Sequence, residues 1–401
     1  MKTSYGFGSQ CIKMDKKPTY QTPAHQLPIY ASSSFVFEHL QQGIDVFQGK
    51  ETGYLYSRFG NPTIDSTSQK IADLEGFELG IHPEAIMVAS GMAAIHILLS
   101  GTLQPGQKIL TQPDLYGGTT ELIDKIFKPL NILPIYQDLR KLDEVEQTLK
   151  SDPSIGLIYM ETPANPTMNC IDLKIIAELA KKYQIWTAVD NTFCTPFIQQ
   201  PFQYGIDFII HSTTKFLNGH GNSIAGVIVG KDPEVMQKKI WPIMKLTGGS
   251  CNSFDAWLTY QGIKTLELRM ERQTANALAL ATFLEKHPKI NFVNYPGLAA
   301  HPDHSIVQRQ MKSGGAMLSF EVRGGLQGAE NCINQLKLAT LAPTLGDIDT
   351  LVMHPYTMSH GNISPIIKEQ QRITEGLVRV SVGAETAQDI INDFEQSLQN
   401  G

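Results

Sequence analysis

The chain has 401 residues, 42% of them hydrophobic and 18% charged, which is enough for a full buried core divided into two or three domains. Its formal net charge of -6 provides no broad positive field, which excludes nucleic acid and membrane surfaces as expected partners. The five cysteines are scattered without a C-x-x-C pair and the N-terminus lacks an apolar leader, so the sequence predicts a cytoplasmic protein without a bound metal.

Residues 1–55 mix proline, glutamine, serine and aromatic residues without a sustained period, which predicts an extended N-terminal arm. The longest uncharged run, residues 85–103, approaches the length of a membrane span. Because Ser90, Gly91 and His96 interrupt it, the run predicts a buried strand, a turn and a buried helix instead.

Between residues 56 and 247, short apolar runs alternate with helix-length segments. This alternation is typical of an α/β domain with a mostly parallel sheet covered on both faces. Ligands bind past the carboxyl ends of such strands, so the residues that follow each run are the most informative. The predicted strands are 85–88, 109–111, 155–160, 186–189 and 208–210.

A change in composition at residues 247–250 predicts the start of a smaller domain, residues 248–401. Residues 254–285 predict a long helical stretch that is bent or broken, and residues 388–399 predict an amphipathic terminal helix. Two predicted strands, 316–322 and 377–382, give this domain an α+β character.

Lys215 carries the strongest local signal, because it ends the run His211-Ser212-Thr213-Thr214-Lys215 directly after a predicted strand. Lysine is the residue that forms Schiff bases, and the hydroxyls of Ser212 and Thr214 are placed to donate to phosphate oxygens beside it. The alternative is a polar turn that ends in a solvated lysine.

Asp190 ends another predicted strand, where a carboxylate could hold a pyridinium nitrogen protonated. The alternative is a helix cap or a turn.

A third signal, Ser90-Gly91-Met92, lies between a predicted strand and a predicted helix, where a glycine and free amides favour a phosphate. No G-x-G-x-x-G opens a helix, so a dinucleotide-binding oxidoreductase is disfavoured. The three signals together predict a phosphorylated aldehyde bound to Lys215.

With these residues in place, the chain resembles the Cys/Met-metabolism, or transsulfuration, family of pyridoxal 5'-phosphate (PLP) enzymes from about residue 43 to its end. This family includes methionine γ-lyases, cystathionine γ-lyases, cystathionine γ-synthases and O-acylhomoserine sulfhydrylases. The resemblance implies the fold-type I architecture of aspartate aminotransferase-like enzymes. Its carriers are residues 56–63 (YSRFGNPT), 89–94 (ASGMAA), 116–119 (YGGT), 161–167 (ETPANPT), 189–192 (VDNT), 212–215 (STTK) and 375–383 (EGLVRVSVG).

The resemblance implies a role for each matching residue at the reacting centre. Lys215 is expected to hold PLP as a Schiff base and to move protons, and Asp190 to pair with the pyridine nitrogen. Tyr116 is expected to stack on the ring and to act as a general acid or base at the leaving group, with a core tyrosine as the alternative. Arg379 is expected to bind the substrate's α-carboxylate, with Thr344 nearby.

The resemblance also implies how the rest of PLP is held. Asn165 is expected to contact the phenolic oxygen, and Thr192 belongs to the same cofactor site. The phosphate cup maps onto Gly91, Met92, Ser212 and Thr214, completed by Tyr56 and Arg58 of a neighbouring subunit. The expected assembly is therefore a homo-oligomer, commonly a tetramer of two dimers that share active sites.

The expected reaction is α,γ-elimination of L-methionine, L-homocysteine or a cystathionine-type substrate to 2-oxobutanoate, ammonia and a thiol. The alternative is γ-replacement, as in O-acylhomoserine sulfhydrylases or cystathionine γ-synthases. Residues 47–56 resemble the methionine γ-lyases, whereas Gly118, Met244-Lys245 and Gln261 depart from their pattern, so the preferred substrate stays open. A non-catalytic scaffold is disfavoured because the lysine, aspartate, tyrosine and both arginines are present.

Overall fold

In the part of the chain that the computed structural model describes, residues 5–13, 24–361, 368–369 and 371–400, the strands form two sheets. The strands of the larger sheet are β1 (Glu84–Val88), β2 (Lys108–Thr111), β3 (Leu133–Tyr136), β4 (Ile155–Glu161), β5 (Trp186–Asp190), β6 (Phe208–Ser212) and β7 (Gly226–Gly230). Their order in the sheet is β1-β7-β6-β5-β4-β2-β3, and β7 alone runs antiparallel to its neighbours. The mostly parallel sheet predicted from the sequence is thereby confirmed.

Helices cover both faces of this sheet, and its strand β4 is buried from end to end, as is typical of a parallel strand between two helical layers. The helices that precede and accompany it are α1 (Phe7–Ile12), α2 (Leu40–Phe47), α3 (Pro62–Glu75), α4 (Gly91–Thr102), α5 (Gly117–Leu122), α6 (Leu142–Ser151), α7 (Leu173–Lys182), α8 (Thr195–Ile198), α9 (Pro233–Val235) and α10 (Trp241–Thr247). Among the described helices, none is both long and apolar enough to cross a membrane.

The second sheet is smaller and lies in the part of the chain that follows residue 252. The elements of this part are α11 (Ser253–Ile263), α12 (Leu266–Glu285), β8 (Ile290–Asn294), α13 (His304–Gln310), β9 (Met317–Val322), α14 (Gly325–Gln335), β10 (Thr340–Leu341), β11 (Leu351–Met353), β12 (Leu377–Ser381) and α15 (Ala387–Asn400). The five strands have the order β10-β11-β12-β9-β8 and are antiparallel except between β10 and β11. The sheet packs against the long helix α12 and the terminal helix α15. The predicted stretch 254–285 is broken, as expected, into α11 and α12.

The uncharged run 85–103 forms β1, a turn and α4, as predicted. Ser90 starts the helix, since its hydroxyl accepts a hydrogen bond from the Ala93 N–H at 3.1 Å. Half of the 12 residues of α4 are buried, and the helix packs against the sheet. The strand therefore delivers the chain to a capped helix start at the carboxyl edge of the sheet.

The predicted N-terminal arm is not uniformly extended, because α1 and α2 lie within it. α1 packs on α3 and α12, and Lys70 donates a hydrogen bond to the Gln10 carbonyl at 3.0 Å. Both helices are too short for a hydrophobic period to reveal them. Residues 1–4 and 14–23 of the arm lie outside the described residues. The domain limits at residues 55 and 247 stay predictions.

Candidate active site

The carboxyl ends of β4, β5 and β6 form one edge of the large sheet. Glu161 at the end of β4 stands in register with Asp190 at the end of β5, and Asp190 stands in register with Ile210. Ser212, two residues beyond Ile210, shares its face of the strand. The sheet thus brings together two acids and the start of the turn that carries Lys215.

Lys215 lies in the turn after β6, and its Nζ donates a hydrogen bond to Oγ1 of Thr344 at 2.8 Å. Burial lowers the pKa of the Lys215 amine and the charge of Arg379 lowers it further, whereas Asp347 opposes the shift. A lysine whose pKa is lowered in this way has a larger neutral fraction at physiological pH. It can therefore act as a nucleophile toward an aldehyde.

Asp190 is fixed by Thr192, whose backbone N–H (3.0 Å) and hydroxyl both donate to Oδ1. The same hydroxyl accepts a bond from the Ser212 N–H at 2.9 Å, which ties β5 to the Lys215 turn. Burial raises the pKa of Asp190, and the hydrogen bonds from Thr192 oppose that shift. Both of these bonds go to Oδ1, so the aspartate is suited to take a further N–H donor through its other oxygen.

The start of α4 and the end of β6 approach each other closely. A Cβ at Gly91 would lie 2.8 Å from Cβ and 3.0 Å from Oγ of Ser212, so this position requires glycine. The first amides of a helix, here those of Gly91 and Met92, have no partner inside it and attract anions. Thr214 is also at this edge, where its hydroxyl exchanges hydrogen bonds with the backbone of Ala225 at 3.2 and 3.1 Å. These contacts bring Gly91 and Ser212 of the predicted phosphate cup together, and the role of the cup stays a prediction.

Arg379 on β12 is buried and reaches the same edge from the small sheet. Its Nη2 donates to the Thr344 carbonyl at 2.8 Å, and its Nη1 donates weakly to Oδ1 of Asn165 at 3.4 Å. Its Nε is buried without a hydrogen-bond partner among the described residues. Burial lowers the pKa of Arg379 to about 10, so it stays charged at neutral pH. A carboxylate is the ligand that such a guanidinium fits.

Tyr116 precedes α5 and exposes 47% of its surface beside this edge. Its backbone N–H is held by both oxygens of Glu161, at 3.0 and 2.8 Å. A Cβ at Gly118 would lie 2.6 Å from the Tyr116 ring and 3.1 Å from Sδ of Met92. Gly118, which departs from the methionine γ-lyase pattern, therefore leaves space for the Tyr116 ring.

Tyr56 and Arg58 contact different residues from the rest of the predicted site. The Arg58 guanidinium lies over the rings of Tyr56 (5.6 Å) and Phe59 (4.8 Å), and it donates to the Lys245 carbonyl. Their contribution to a neighbouring subunit's site stays a prediction.

The family model of the Cys/Met metabolism PLP-dependent enzymes matches residues 8–399. The chain belongs to this family. It is 41% identical over 400 residues to an L-methionine gamma-lyase of Fusobacterium nucleatum subsp. polymorphum, with 98% of each chain covered. It is 37% identical over 374 residues to an O-succinylhomoserine sulfhydrylase of Pseudomonas aeruginosa, with 93% of this chain and 91% of the relative covered. The crystal structure of cystathionine gamma-lyase from Lactobacillus plantarum complexed with L-serine matches 99% of both chains with a TM-score of 0.91 and 34% identity.

The family and fold predicted from the sequence are confirmed, and PLP is the family's cofactor. The site fits this group on three structural grounds. An amine with a lowered pKa suits its aldehyde, and the partly buried carboxylate of Asp190 suits its ring nitrogen. Gly91, which lies close to Ser212 and has no side chain, leaves the first amides of α4 accessible to a phosphate.

The sequence did not predict a role for the Glu161 side chain, although Glu161 begins the motif of residues 161–167. Its signal was an acid at the carboxyl end of a buried strand, the same signal that identified Asp190. The sequence also did not predict the buried pair of His211 and Glu75, whose Nε2 and Oε1 are 2.6 Å apart on the opposite face of the sheet. That pair joins residues 136 positions apart, so no local pattern could reveal it.

Proposed function

We propose that this member of the family is a carbon–sulfur lyase that removes the γ-substituent of sulfur amino acids. With L-methionine and water, the products are 2-oxobutanoate, ammonia and methanethiol. The observation that carries the proposal is the link through Thr344, whose hydroxyl holds the Lys215 amine and whose carbonyl holds the Arg379 guanidinium. One residue thus sets a nucleophilic amine beside a carboxylate-binding group, the spacing that an α-amino acid requires.

PLP, when bound, supplies an electron-withdrawing ring that makes the protons on the substrate's α- and β-carbons acidic. Lys215 removes and returns these protons, because its lowered pKa keeps part of its population neutral. Arg379 holds the substrate's carboxylate with its planar donors. Tyr116 gives a proton to the departing sulfur.

Other residues bind the cofactor. Asp190 pairs with the ring nitrogen, and Thr192 orients that carboxylate. Asn165 contacts the phenolic oxygen from its place beside Arg379. The phosphate is received by the start of α4 and the Lys215 turn, through Gly91, Met92, Ser212 and Thr214.

The choice between elimination and replacement depends on whether a second thiol enters. The relative from F. nucleatum is named a methionine γ-lyase at 41% identity, which favours elimination. The P. aeruginosa relative at 37% identity is a sulfhydrylase, which keeps γ-replacement as the second candidate. Contacts with a substrate's side chain are worth about 1–3 kcal/mol each, so Gly118 is expected to shift the preferred thiol before it changes the reaction.

The test is incubation of the purified enzyme with L-methionine, L-homocysteine or cystathionine alone, with measurement of 2-oxobutanoate, ammonia and thiol. We expect keto acid from at least one substrate without any second reactant. Lys215→Ala is the control and should lose both this activity and the borohydride-reducible attachment of PLP. Negligible keto acid, together with rapid γ-replacement from O-acetyl- or O-succinylhomoserine and sulfide, would transfer the assignment to the synthase class.

We further propose a cytoplasmic homotetramer built from two dimers that share active sites. The cytoplasmic placement rests on the five cysteines, which are all described, buried and free of disulfides. The shared site rests on Tyr56 and Arg58, whose contacts within one chain lie with Phe59 and Lys245.

A further inference from the structure

Glu161 ends β4 with a buried carboxylate that accepts hydrogen bonds from two neighbours. The Tyr116 N–H reaches both of its oxygens, and the Thr119 hydroxyl reaches Oε1 at 3.4 Å. Both donors belong to the first turn of α5, the short helix that Tyr116 starts. The carboxylate therefore joins the edge of the sheet to the backbone that carries the tyrosine.

The anchor is itself rigid. Gln112, which follows β2, donates from Nε2 to the Glu161 carbonyl at 2.7 Å and accepts from the Glu161 N–H at 3.0 Å. These two bonds continue the pairing of β2 and β4 one step past the end of β2. Glu161 is thus fixed at its backbone and leaves its side chain to hold Tyr116.

A carboxylate at this position lowers the stability of the folded protein. Glu161 is buried and in register with Asp190, and like charges on neighbouring strands repel. Burial raises the pKa of Glu161 well above its usual range, and the charge of Asp190 adds to the shift, whereas the Tyr116 N–H opposes it. A residue that served only to fill space would be apolar here.

We infer that Glu161 is a positioning residue for the reaction: through the Tyr116 backbone it sets where the Tyr116 hydroxyl lies. The inference rests on the proposed function, in which that hydroxyl serves the leaving group. Tyr116 needs such an anchor because its ring is half exposed and the following Gly117 and Gly118 add no side chains to steady it. The anchor acts through acceptor oxygens at the correct distance, and its charge is incidental.

Two substitutions distinguish the position of the Glu161 side-chain oxygens from the charge of the carboxylate. Glu161→Gln keeps an acceptor oxygen at full reach without the charge, and kcat should stay within about fivefold of the parent value. Glu161→Asp keeps the charge but withdraws the oxygens by one methylene, and kcat should fall ~10²-fold because a small misplacement of a catalytic group is costly. Asp207→Asn is the matched control. Asp207 also accepts a backbone N–H (2.9 Å) and a threonine hydroxyl (2.8 Å), both from Thr187, but at the opposite end of the sheet.

Hydrogen exchange of the purified holoenzyme gives a readout that does not depend on turnover. The peptide that contains Tyr116 should exchange about tenfold faster in Glu161→Asp, and at the parent rate in Glu161→Gln and Asp207→Asn. The kinetic loss from Glu161→Asp should also shrink when Tyr116 is already phenylalanine, because no hydroxyl is left to position.

Two results would overturn the inference. If Glu161→Gln loses activity while Glu161→Asp keeps it, the charge beside Asp190 is what matters. If exchange and kcat are unchanged in both variants, the anchor has no role. Failure of the proposed function would appear separately, as a parent enzyme without lyase activity whose Tyr116 peptide still responds to Glu161→Asp.

Discussion

Lys215 and Thr344 are joined by a hydrogen bond of 2.8 Å between Nζ and Oγ1, across 129 residues of sequence. The bond connects the turn after β6 of the large sheet to the segment between β10 and β11 of the small sheet. Thr344 also accepts Arg379 through its backbone, so the relative placement of the predicted amine and the predicted carboxylate site depends on this one residue.

Thr344→Val should lower kcat/KM for keto-acid formation by about tenfold, because it removes the hydroxyl that orients Lys215. Thr344→Ser is the matched control, since it keeps the hydroxyl and should retain most of the activity. Steady-state kinetics of both variants test this. Equal activity of the valine and serine variants would show that the bond is unimportant to catalysis.

Arg379 and Arg269 are both buried arginines, but they differ in how well their donors are satisfied. Arg269 donates to Thr265 and to three backbone carbonyls, those of Phe216, Leu217 and Gly262. Arg379 keeps a buried Nε without a partner among the described residues.

Arg379→Leu should abolish substrate saturation, with KM raised ~10²-fold or more, yet leave the free energy of unfolding unchanged or higher. Arg269→Leu should instead lower the free energy of unfolding by about 3 kcal/mol, because it leaves buried carbonyls without a hydrogen-bond donor. Denaturant unfolding and kinetics measure the two effects. A strongly destabilised Arg379→Leu would contradict the view that this arginine is retained for function at the expense of stability.

The sequence was most informative where one strand alone determines a position. β4, β5 and β6 are short, buried and apolar, so their carboxyl ends, with Asp190 and Lys215, could be located from the pattern. β3 was not among the predicted strands because it is a half-exposed edge strand that contains Pro134. β7 was not among them because it begins and ends with a glycine.

The side-chain links could not be read from the sequence for a different reason. The bonds of Thr344 to Lys215 and of Glu161 to Tyr116 join segments that only the tertiary fold brings together. The resemblance to a family supplied a position for Thr344 but no partner. Hydroxyl and carboxylate groups also occur at many turns and caps, so their presence alone identifies no contact.

His360 gives the stability of the protein a predictable dependence on pH. It is buried, and its Nδ1 lies 2.8 Å from the Ser359 hydroxyl. Burial lowers the pKa of His360 from 6.5 to about 4, helped by the charges of Arg379 and Lys368. The folded chain therefore keeps this ring neutral while the unfolded chain protonates it below pH 6.5.

His360 should thus cost no stability above pH 6.5 and about 2 kcal/mol by pH 5, with the loss complete near pH 4. In His360→Gln this part of the acid sensitivity should disappear. The measurement is the free energy of unfolding at pH 7 and pH 5 in both proteins. His82→Gln is the control, because the His82 side chain is 80% exposed. An identical pH dependence in His360→Gln and the parent would refute the prediction.

Active sites shared between two chains make a prediction that no single variant can test. Tyr56 exposes 42% of its surface, and the Arg58 guanidinium stacks on it instead of reaching the Lys215 turn of its own chain. If these residues complete a neighbour's phosphate cup, Arg58→Ala and Lys215→Ala damage complementary halves of the site. Random mixing should make half of the dimers hybrid, each with one intact site, and restore about a quarter of the parent activity.

The control pairs Asp190→Ala with Lys215→Ala, which lie together on one chain and should not complement, since every site in the hybrid then carries a damaged residue. Hybrids that are shown to form by differential tagging but stay inactive with Arg58→Ala would mean that each chain builds its own site, and Arg58 would then be reassigned to the contact with Lys245 that it makes within the chain.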